Sequence, residues 1–291
     1  MDILVTGGGG QLGTALQRLQ WPQGVSLHAP SRREMDLADP AALAAMVASR
    51  PWAAVVNCAA YTAVDRCESD VVAAWSVNAL APAALAAATA AAGVPILHVS
   101  TDYVFDGSKA GFYVESDPVG PLGVYGASKE GGEQAVRTAN PRHVILRTAW
   151  IFGATGSNFV KTMLRHGAER PVLRVVDDQF GCPSGAADIA GAIQTIVLRL
   201  AREADAPCGT WHFANGGDTS WHGFATGIFA QSKSRGGPAS KVEAISTAQY
   251  PTPARRPANS RLSTQRLEHD FGIVPRPWRV ALADVLRELL P

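Results

Sequence analysis

Short apolar runs alternate with alanine-rich stretches through the first half of the chain. The runs that predict strands cover residues 3–6, 25–29, 54–57 and 95–100, and the stretches that predict helices cover 11–19, 40–49 and 70–92. Strands that are apolar along their whole length are typical of a parallel sheet covered by helices on both faces. The sequence therefore predicts an α/β fold with a Rossmann-like, doubly wound parallel sheet.

The alternation becomes less regular in the second half. A helix near Tyr125 and a buried strand over 143–148 continue the pattern, and later helices are predicted over 158–165, 186–201 and 278–290, with a surface loop over 232–238. This change predicts a larger domain over 1–150, to which part of 170–200 returns, and a smaller C-terminal α/β lobe over 151–291.

Composition and charge narrow the class of protein. The 291 residues carry a net charge of +1, and 18% of them are charged. No block of Lys and Arg is long enough to bind along a phosphate backbone, so no nucleic-acid polymer is expected as a partner. The chain starts directly with a strand, and no apolar run looks unbroken enough to span a bilayer, so we expect a cytoplasmic protein with no membrane partner. The four cysteines lack metal-ligand spacing, which predicts free thiols and no metal site.

A glycine-rich loop follows the first strand and opens the first helix. Gly7, Gly10 and Gly13 allow a tight turn, and the helix that contains Gln11 and Leu12 points its free amides at the loop. Glycines at this point let the backbone approach a pyrophosphate closely. The loop predicts a dinucleotide site in the 1–150 domain, with the 151–291 lobe left to bind substrate; a plain glycine turn is the alternative.

The residues that follow the second strand bear on the choice of dinucleotide. Residues 30–34 read Pro-Ser-Arg-Arg-Glu, and a guanidinium such as that of Arg32 suits a 2′-phosphate where an acidic residue would suit a free ribose. We therefore expect NADPH, with NADH left open. Further cofactor contacts are expected at the start of a helix, from Asp36 and Leu37, and after the end of a strand, from Ala59, Ala60, Tyr61 and Thr62. A solvated loop is the alternative for Arg32 and for Asp36.

Tyr125 and Lys129 lie one helical turn apart, downstream of a strand that ends at Thr101. An ammonium beside a phenol favours the phenolate, so we expect Lys129 to lower the pKa of Tyr125 toward neutral. Tyr125 could then exchange a proton with a substrate oxygen, which Thr101 would orient, while both Tyr125 and Lys129 also border the cofactor. An exposed helix pair is the alternative interpretation.

Several longer segments are distinctive: Gly-Gln-Leu-Gly at 10–13, Ser-Thr-Asp-Tyr-Val-Phe-Asp-Gly at 100–107 and Val-Tyr-Gly-x-x-Lys at 124–129, with others at 57–65, 147–150, 158–163, 178–183 and 250–262. Taken together, they resemble the extended short-chain dehydrogenase/reductase family nearly end to end. These segments are far more specific than a tyrosine–lysine pair alone. Sugar-nucleotide dehydratases of the family look like Thr-Asp-Glu where this chain has Thr101-Asp102-Tyr103, which favours plain carbonyl reduction here.

The resemblance implies an activity and a set of residues. The activity is reduction of the 4-keto group of a dTDP-sugar, dTDP-4-dehydro-6-deoxy-L-mannose, by NADPH to give dTDP-L-rhamnose. The implied catalytic residues are Thr101, Tyr125 and Lys129, and the implied substrate contacts are Thr101, Asp102, Tyr103 and Trp150 at the sugar and Arg256, Asn259 and Arg261 at the nucleotide.

Two alternatives stay open: a ketoreductase that gives another stereochemistry, and a non-catalytic NADP-binding regulatory subunit. Some relatives form metal-linked dimers through acidic side chains, but residues 14–21 contain none. A homodimer of another kind is left open.

Three further residues are interpreted as structural. Trp221 and His222 are expected to pack and to cap a helix. His98 is expected to be buried against the sheet.

Overall fold

The computed structural model describes residues 1–290, and this part of the chain contains twelve strands and eleven α-helices. The strands are β1 Asp2–Thr6, β2 Ser26–His28, β3 Trp52–Asn57, β4 Ile96–Thr101, β5 His143–Thr148, β6 Ile151–Phe152, β7 Val172–Val176, β8 Phe180–Gly181, β9 Ser184–Gly185, β10 Gly209–Phe213, β11 Thr219–Ser220 and β12 Lys241–Ile245. The helices are α1 Gln11–Arg18, α2 Pro40–Ala48, α3 Val64–Cys67, α4 Val71–Trp75, α5 Ala81–Ala91, α6 Val124–Ala139, α7 Phe159–Glu169, α8 Ala186–Arg202, α9 Trp221–Lys233, α10 Gln265–Phe271 and α11 Trp278–Leu289.

Six parallel strands form the central sheet in the order β10-β5-β4-β3-β1-β2. Chain order reverses on either side of β1, so a crevice opens between the carboxyl ends of β1 and β3, where such sheets bind ligands. The predicted fold class is confirmed. The sequence pattern did not predict that β10 would join the edge of this sheet.

The two faces of the sheet bury alternate residues of each strand. Ile3 and Val5 face one hydrophobic core with α1 and α8, whereas Leu4 faces a second core with α2 and α5. These strands are therefore apolar along their whole length, as the sequence pattern indicated. Helix α8 comes from the second half of the chain yet packs against α1.

A third hydrophobic core lies among α7, α9 and α11, with Phe152, Phe224 and Leu282 fully buried. Strands β7 and β12 form a parallel pair beside it. The division of the chain near residue 150 stays a prediction, and Pro291 of the predicted lobe lies outside the described residues.

The helical stretch Val71–Ala91 contains a π-helical segment, Ser76–Leu80, between α4 and α5. By length and composition it could cross a membrane, so the expectation that no apolar run would do so is wrong on that criterion. In the fold, Leu85 and Ala86 are buried in the core beneath the sheet, as in a covering helix of an α/β domain. The absence of a membrane partner stays a prediction.

Candidate active site

The glycine loop is shaped by two close backbone approaches. Gly7 has a φ of +72°, and a Cβ at this position would lie 2.8 Å from the Cα of Ala59 at the end of β3. A Cβ on Gly13 would overlap the carbonyl oxygen of Gly7. Gly10 caps α1 without any side-chain hydrogen bond to the helix amides, so these amides face the crevice. The loop is therefore built for an anion held close to the backbone.

A groove of about 340 Å³ begins at this loop and ends at α6. Of the residues predicted for cofactor binding, it is lined by Gly7, Gly10, Gln11, Leu12, Gly13, Leu37, Ala59, Ala60, Thr62, Tyr125 and Lys129. Sequence reasoning missed the other lining residues, which are Cys58, Val77, Val99, Ser100 and Ile151, because small and apolar side chains carry no motif of their own. The glycine cradle and the groove fit a dinucleotide.

Three of the predicted cofactor residues lie outside the groove lining. The Arg32 side chain is 87% exposed, with its Nε 3.9 Å from Asp36. The backbone N–H of Tyr61 donates to Asn78 Oδ1 at 2.8 Å, and its hydroxyl donates to Asp70 at 2.9 Å. The side chain of Tyr61 is thus engaged within the protein, and its role at the cofactor stays a prediction, as do those of Arg32 and Asp36.

The hydroxyl of Thr101 lies at the centre of the predicted catalytic residues. It donates to Asp102 Oδ1 at 2.9 Å and accepts from the backbone N–H of Tyr103 at 3.2 Å, and it lies beside the phenol of Tyr125. A Cβ on Gly126 would overlap the carbonyl oxygen of Tyr103, so helix α6 lies very close to the end of β4. This close approach brings Thr101 and Tyr125 together.

Lys129 is 2% exposed, and its Nζ donates to the carbonyl oxygen of Val99 at 2.7 Å. Burial lowers the pKa of Lys129 to about 8, although Glu133 and Cys58 act in the opposite direction. The lysine therefore exchanges its proton near working pH, which a solvated lysine would not do.

The expected lowering of the Tyr125 pKa is wrong, because the fold raises it. Burial raises the pKa of Tyr125. The nearby Thr101 hydroxyl opposes this rise, and the charge of Asp102 adds to it. Lys129 directs its ammonium at the Val99 carbonyl oxygen, so it does not offset the cost of burying a phenolate. Tyr125 therefore keeps its proton at neutral pH.

Asp102 is a buried acid next to this group, at 2% exposure. Burial raises its pKa to about 6, against the hydrogen bond from Thr101 and the nearby Ser260 hydroxyl, which lower it. Tyr103 lies edge-on to Tyr125 with ring centroids 5.5 Å apart. Asp102, Tyr103 and Tyr125 thus surround the Thr101 hydroxyl.

Trp150 follows β5 with a φ of +48°, a left-handed conformation that is unusual for a bulky residue. Its ring stacks on Trp221 at 3.5 Å between centroids. Trp221 packs as expected, but the cap of α9 is Ser220, whose hydroxyl accepts from the backbone N–H of Gly223, so the predicted capping role of residues 221 and 222 is wrong. A strained aromatic residue at a strand end is typical of a ligand site.

The three residues predicted to contact the nucleotide each have hydrogen-bond or ion-pair partners within the protein. Arg256 pairs with Asp65 at 2.9 Å, which ties the C-terminal segment to the α3 region. Arg261 pairs with Asp218 at 3.1 Å. The amide of Asn259 donates to the carbonyl oxygens of residues 109 and 111 and accepts from Arg261, so its hydrogen-bonding groups are used within the protein.

The groove ends at Tyr125 and the buried side chain of Lys129, beside Thr101 at the end of β4. This arrangement defines the class of protein, an oxidoreductase of the extended short-chain dehydrogenase/reductase type. The family model described as RmlD substrate binding domain matches residues 1–290, and the chain belongs to this family.

Known relatives cover the chain almost completely. The dTDP-4-dehydrorhamnose reductase of Sinorhizobium fredii is 44% identical over 291 residues, which are 100% of this chain and 98% of that protein. The protein of the same name from Burkholderia thailandensis is 45% identical, with 100% of this chain and 99% of that protein covered. A crystal structure of the Bacillus anthracis dTDP-4-dehydrorhamnose reductase in complex with NADP is similar with a TM-score of 0.92 and 32% identity, over 99% of each chain.

Proposed function

We propose that this chain uses NADPH to reduce the 4-keto group of dTDP-4-dehydro-6-deoxy-L-mannose, which gives dTDP-L-rhamnose. This is the last step in the synthesis of that sugar nucleotide. The proposal is supported by relatives of this name at 44% and 45% identity over the full chain. The observation that carries it is the contact of Tyr125 with Thr101 at the end of a dinucleotide groove that Lys129 also lines.

The glycine loop and the amides of α1 would hold the pyrophosphate of NADPH, and Ala59, Ala60 and Thr62 would border its adenine and ribose. The B. anthracis relative binds NADP, and Arg32 is proposed to favour the 2′-phosphate. When bound, NADPH supplies the hydride that the carbonyl carbon accepts.

The side chains of this chain handle the proton. Tyr125 keeps its proton at neutral pH and donates it to the sugar 4-oxygen as the carbonyl is reduced. We propose that the Lys129 ammonium turns from the Val99 carbonyl oxygen toward the phenolate as it forms and stabilises it there. The Thr101 hydroxyl, which donates to Asp102 at 2.9 Å, lies beside the Tyr125 phenol and is proposed to orient the same sugar oxygen.

Asp102, Tyr103 and Trp150 are proposed to surround the deoxyhexose, because they lie next to Thr101 and Tyr125. Tyr103 offers no carboxylate at the position where a dehydratase would have its glutamate, which favours reduction. Arg256 and Arg261 are proposed to bind the diphosphate, since guanidinium groups pair well with phosphate oxygens. Asn259 is proposed to act indirectly, by holding Arg261 in place.

A cytoplasmic location and a homodimer stay predictions. The configuration of the product at C4 depends on how the pocket holds the sugar ring. A product other than dTDP-L-rhamnose would identify a ketoreductase of different stereochemistry, which is the alternative function.

The proposal is tested by incubation of the purified protein with NADPH and the 4-keto sugar nucleotide. We expect one NADPH to be oxidised per keto sugar consumed. dTDP-glucose, which has no keto group, serves as the control and should leave NADPH unchanged. No oxidation with the keto sugar, although NADPH binds, would favour a non-catalytic role.

A further inference from the structure

Four buried polar side chains form a continuous chain along the carboxyl edge of the sheet. Thr6 Oγ1 lies 2.6 Å from Asn57 Oδ1, Asn57 Nδ2 lies 3.0 Å from His98 Nδ1, and His98 Nε2 lies 3.5 Å from Lys129 Nζ. All four side chains are at most 2% exposed. The first three have no part in the chemistry described above, yet they connect β1, β3 and β4 to the lysine.

The direction of these hydrogen bonds follows from Asn57. Its Oδ1 accepts from the Thr6 hydroxyl at a distance typical of an O–H···O bond, and the backbone N–H of Ala59 also points at this oxygen from 3.3 Å. Asn57 therefore turns its NH₂ group toward His98, whose Nδ1 must accept. A neutral imidazole carries one proton, so that proton sits on Nε2.

The proton on His98 Nε2 faces the Lys129 amine. His98 stays neutral, because burial and the neighbouring Lys129 charge both lower its pKa well below the usual value. When Lys129 is an ammonium, two donors meet across 3.5 Å and repel; when Lys129 is a neutral amine, its lone pair can accept from Nε2–H. The contact therefore favours loss of the lysine proton.

We propose that His98 is a positioning residue that controls the proton on Lys129, with its tautomer fixed by Asn57 and the orientation of Asn57 fixed by Thr6 and Ala59. Thr6 ends β1 just before the glycine loop, so the chain of hydrogen bonds joins the cofactor groove to the lysine. This inference rests on the proposed function, in which Lys129 stabilises the Tyr125 phenolate.

Among the residues that the structure describes, none of the other titratable groups around Lys129 presents a fixed hydrogen-bond donor to its Nζ. Glu133, one turn along α6, is bound by Arg147 in a buried ion pair of 2.7 Å. Burial raises the pKa of the Cys58 thiol to about 12, so that group is neutral, and Tyr125 keeps its proton as described above. His98 is thus the side chain that presents a fixed hydrogen-bond donor to Lys129.

The first test uses the wild-type protein and measures the tautomer of His98 by ¹⁵N NMR of its ring nitrogens. We expect a pyridine-like signal from Nδ1 and a pyrrole-like signal from Nε2, unchanged between about pH 6 and pH 9. A proton on Nδ1 would reverse the chain, since His98 would then accept from the Lys129 ammonium, and this result would overturn the inference.

The second test follows the Lys129 side chain by NMR of ε-¹³C lysine, with the signal assigned through Lys129→Arg. In His98→Gln the amide oxygen can turn to the lysine and accept from it, so the midpoint of the Lys129 titration should rise by about one pH unit or more. The alkaline limb of turnover with NADPH should move in the same direction. His143→Gln is the matched control, because His143 is a buried histidine at the first residue of β5, away from the carboxyl edge of the sheet. It should leave the midpoint unchanged.

An unchanged Lys129 midpoint in a folded His98→Gln protein would overturn the inference, and if that variant does not fold, the wild-type tautomer still decides. Neither NMR measurement depends on turnover of the keto sugar. A shifted midpoint without keto-sugar reduction would therefore contradict the proposed function and leave the role of His98 intact.

Discussion

Tyr125 is the residue whose change separates chemistry from binding. Tyr125→Phe removes the phenolic proton but keeps the ring that lines the groove. We expect kcat for keto-sugar reduction to fall on the order of 10²- to 10⁴-fold, while the Kd for NADPH stays within about twofold. Turnover equal to that of the wild type would show that another group protonates the sugar oxygen.

Asp102 gives a prediction on pH. Its pKa in the folded chain is raised to about 6 from a usual value of 3.8, so the folded state binds this proton more tightly than the unfolded state. The resulting stability is fully present below about pH 4 and is lost as the pH rises through 6.

Asp102→Asn should therefore raise the free energy of unfolding at pH 7 by on the order of 1–3 kcal/mol, with little gain near pH 4. Urea unfolding at the two pH values measures the difference. A gain of the same size at both would contradict the raised pKa. Turnover should fall in the variant, because Asp102 also orients Thr101.

The placement of single residues was predictable from the sequence where a motif fixes it, as at Gly7, Thr101 and Tyr125, and their catalytic and binding roles stay predictions. Protonation was not predictable, because it depends on burial. The sequence predicts a tyrosine pKa lowered by a neighbouring lysine, whereas the fold buries the phenol and directs Lys129 at the Val99 carbonyl oxygen.

At the scale of elements, the connection from β1 to α1 depends on its glycines in unequal ways. A Cβ on Gly13 would overlap the Gly7 carbonyl oxygen, whereas a Cβ on Gly9 would meet nothing within 4 Å. Gly13→Ala should push α1 away from the loop and weaken NADPH binding about tenfold or more, and Gly9→Ala is the matched control that should bind normally. Calorimetric titration with NADPH measures both, and equal affinities would show that the loop does not hold the cofactor.

The strands of the main sheet were predictable because their apolar runs are continuous, and β5 begins and ends where the sequence pattern indicated. The join of β10 to β5 was not predictable, since it depends on a pairing between segments more than sixty residues apart. The same is true of the chain from Asn57 to His98, which requires the register of β3 on β4.

At the scale of the whole molecule, the proposed site combines residues from the two halves of the chain. Arg256 from the C-terminal segment pairs with Asp65 near the end of the dinucleotide groove. Arg256→Met should raise KM for the dTDP-sugar about tenfold to a hundredfold, the loss expected for a charge-assisted contact, and leave the Kd for NADPH unchanged.

The neighbouring exposed Arg255 provides the control for that variant, and Arg255→Met should leave KM near the wild-type value. Steady-state kinetics with both substrates varied measure the outcome. Equal KM values for the two variants would place the diphosphate elsewhere.

The most direct measurement of the central claim uses NADPH that carries deuterium at its transferable position, with NMR of the sugar nucleotide produced. The account predicts dTDP-L-rhamnose with one deuterium on C4 of the sugar. The absence of deuterium at C4, or a product of another configuration at that carbon, would contradict it.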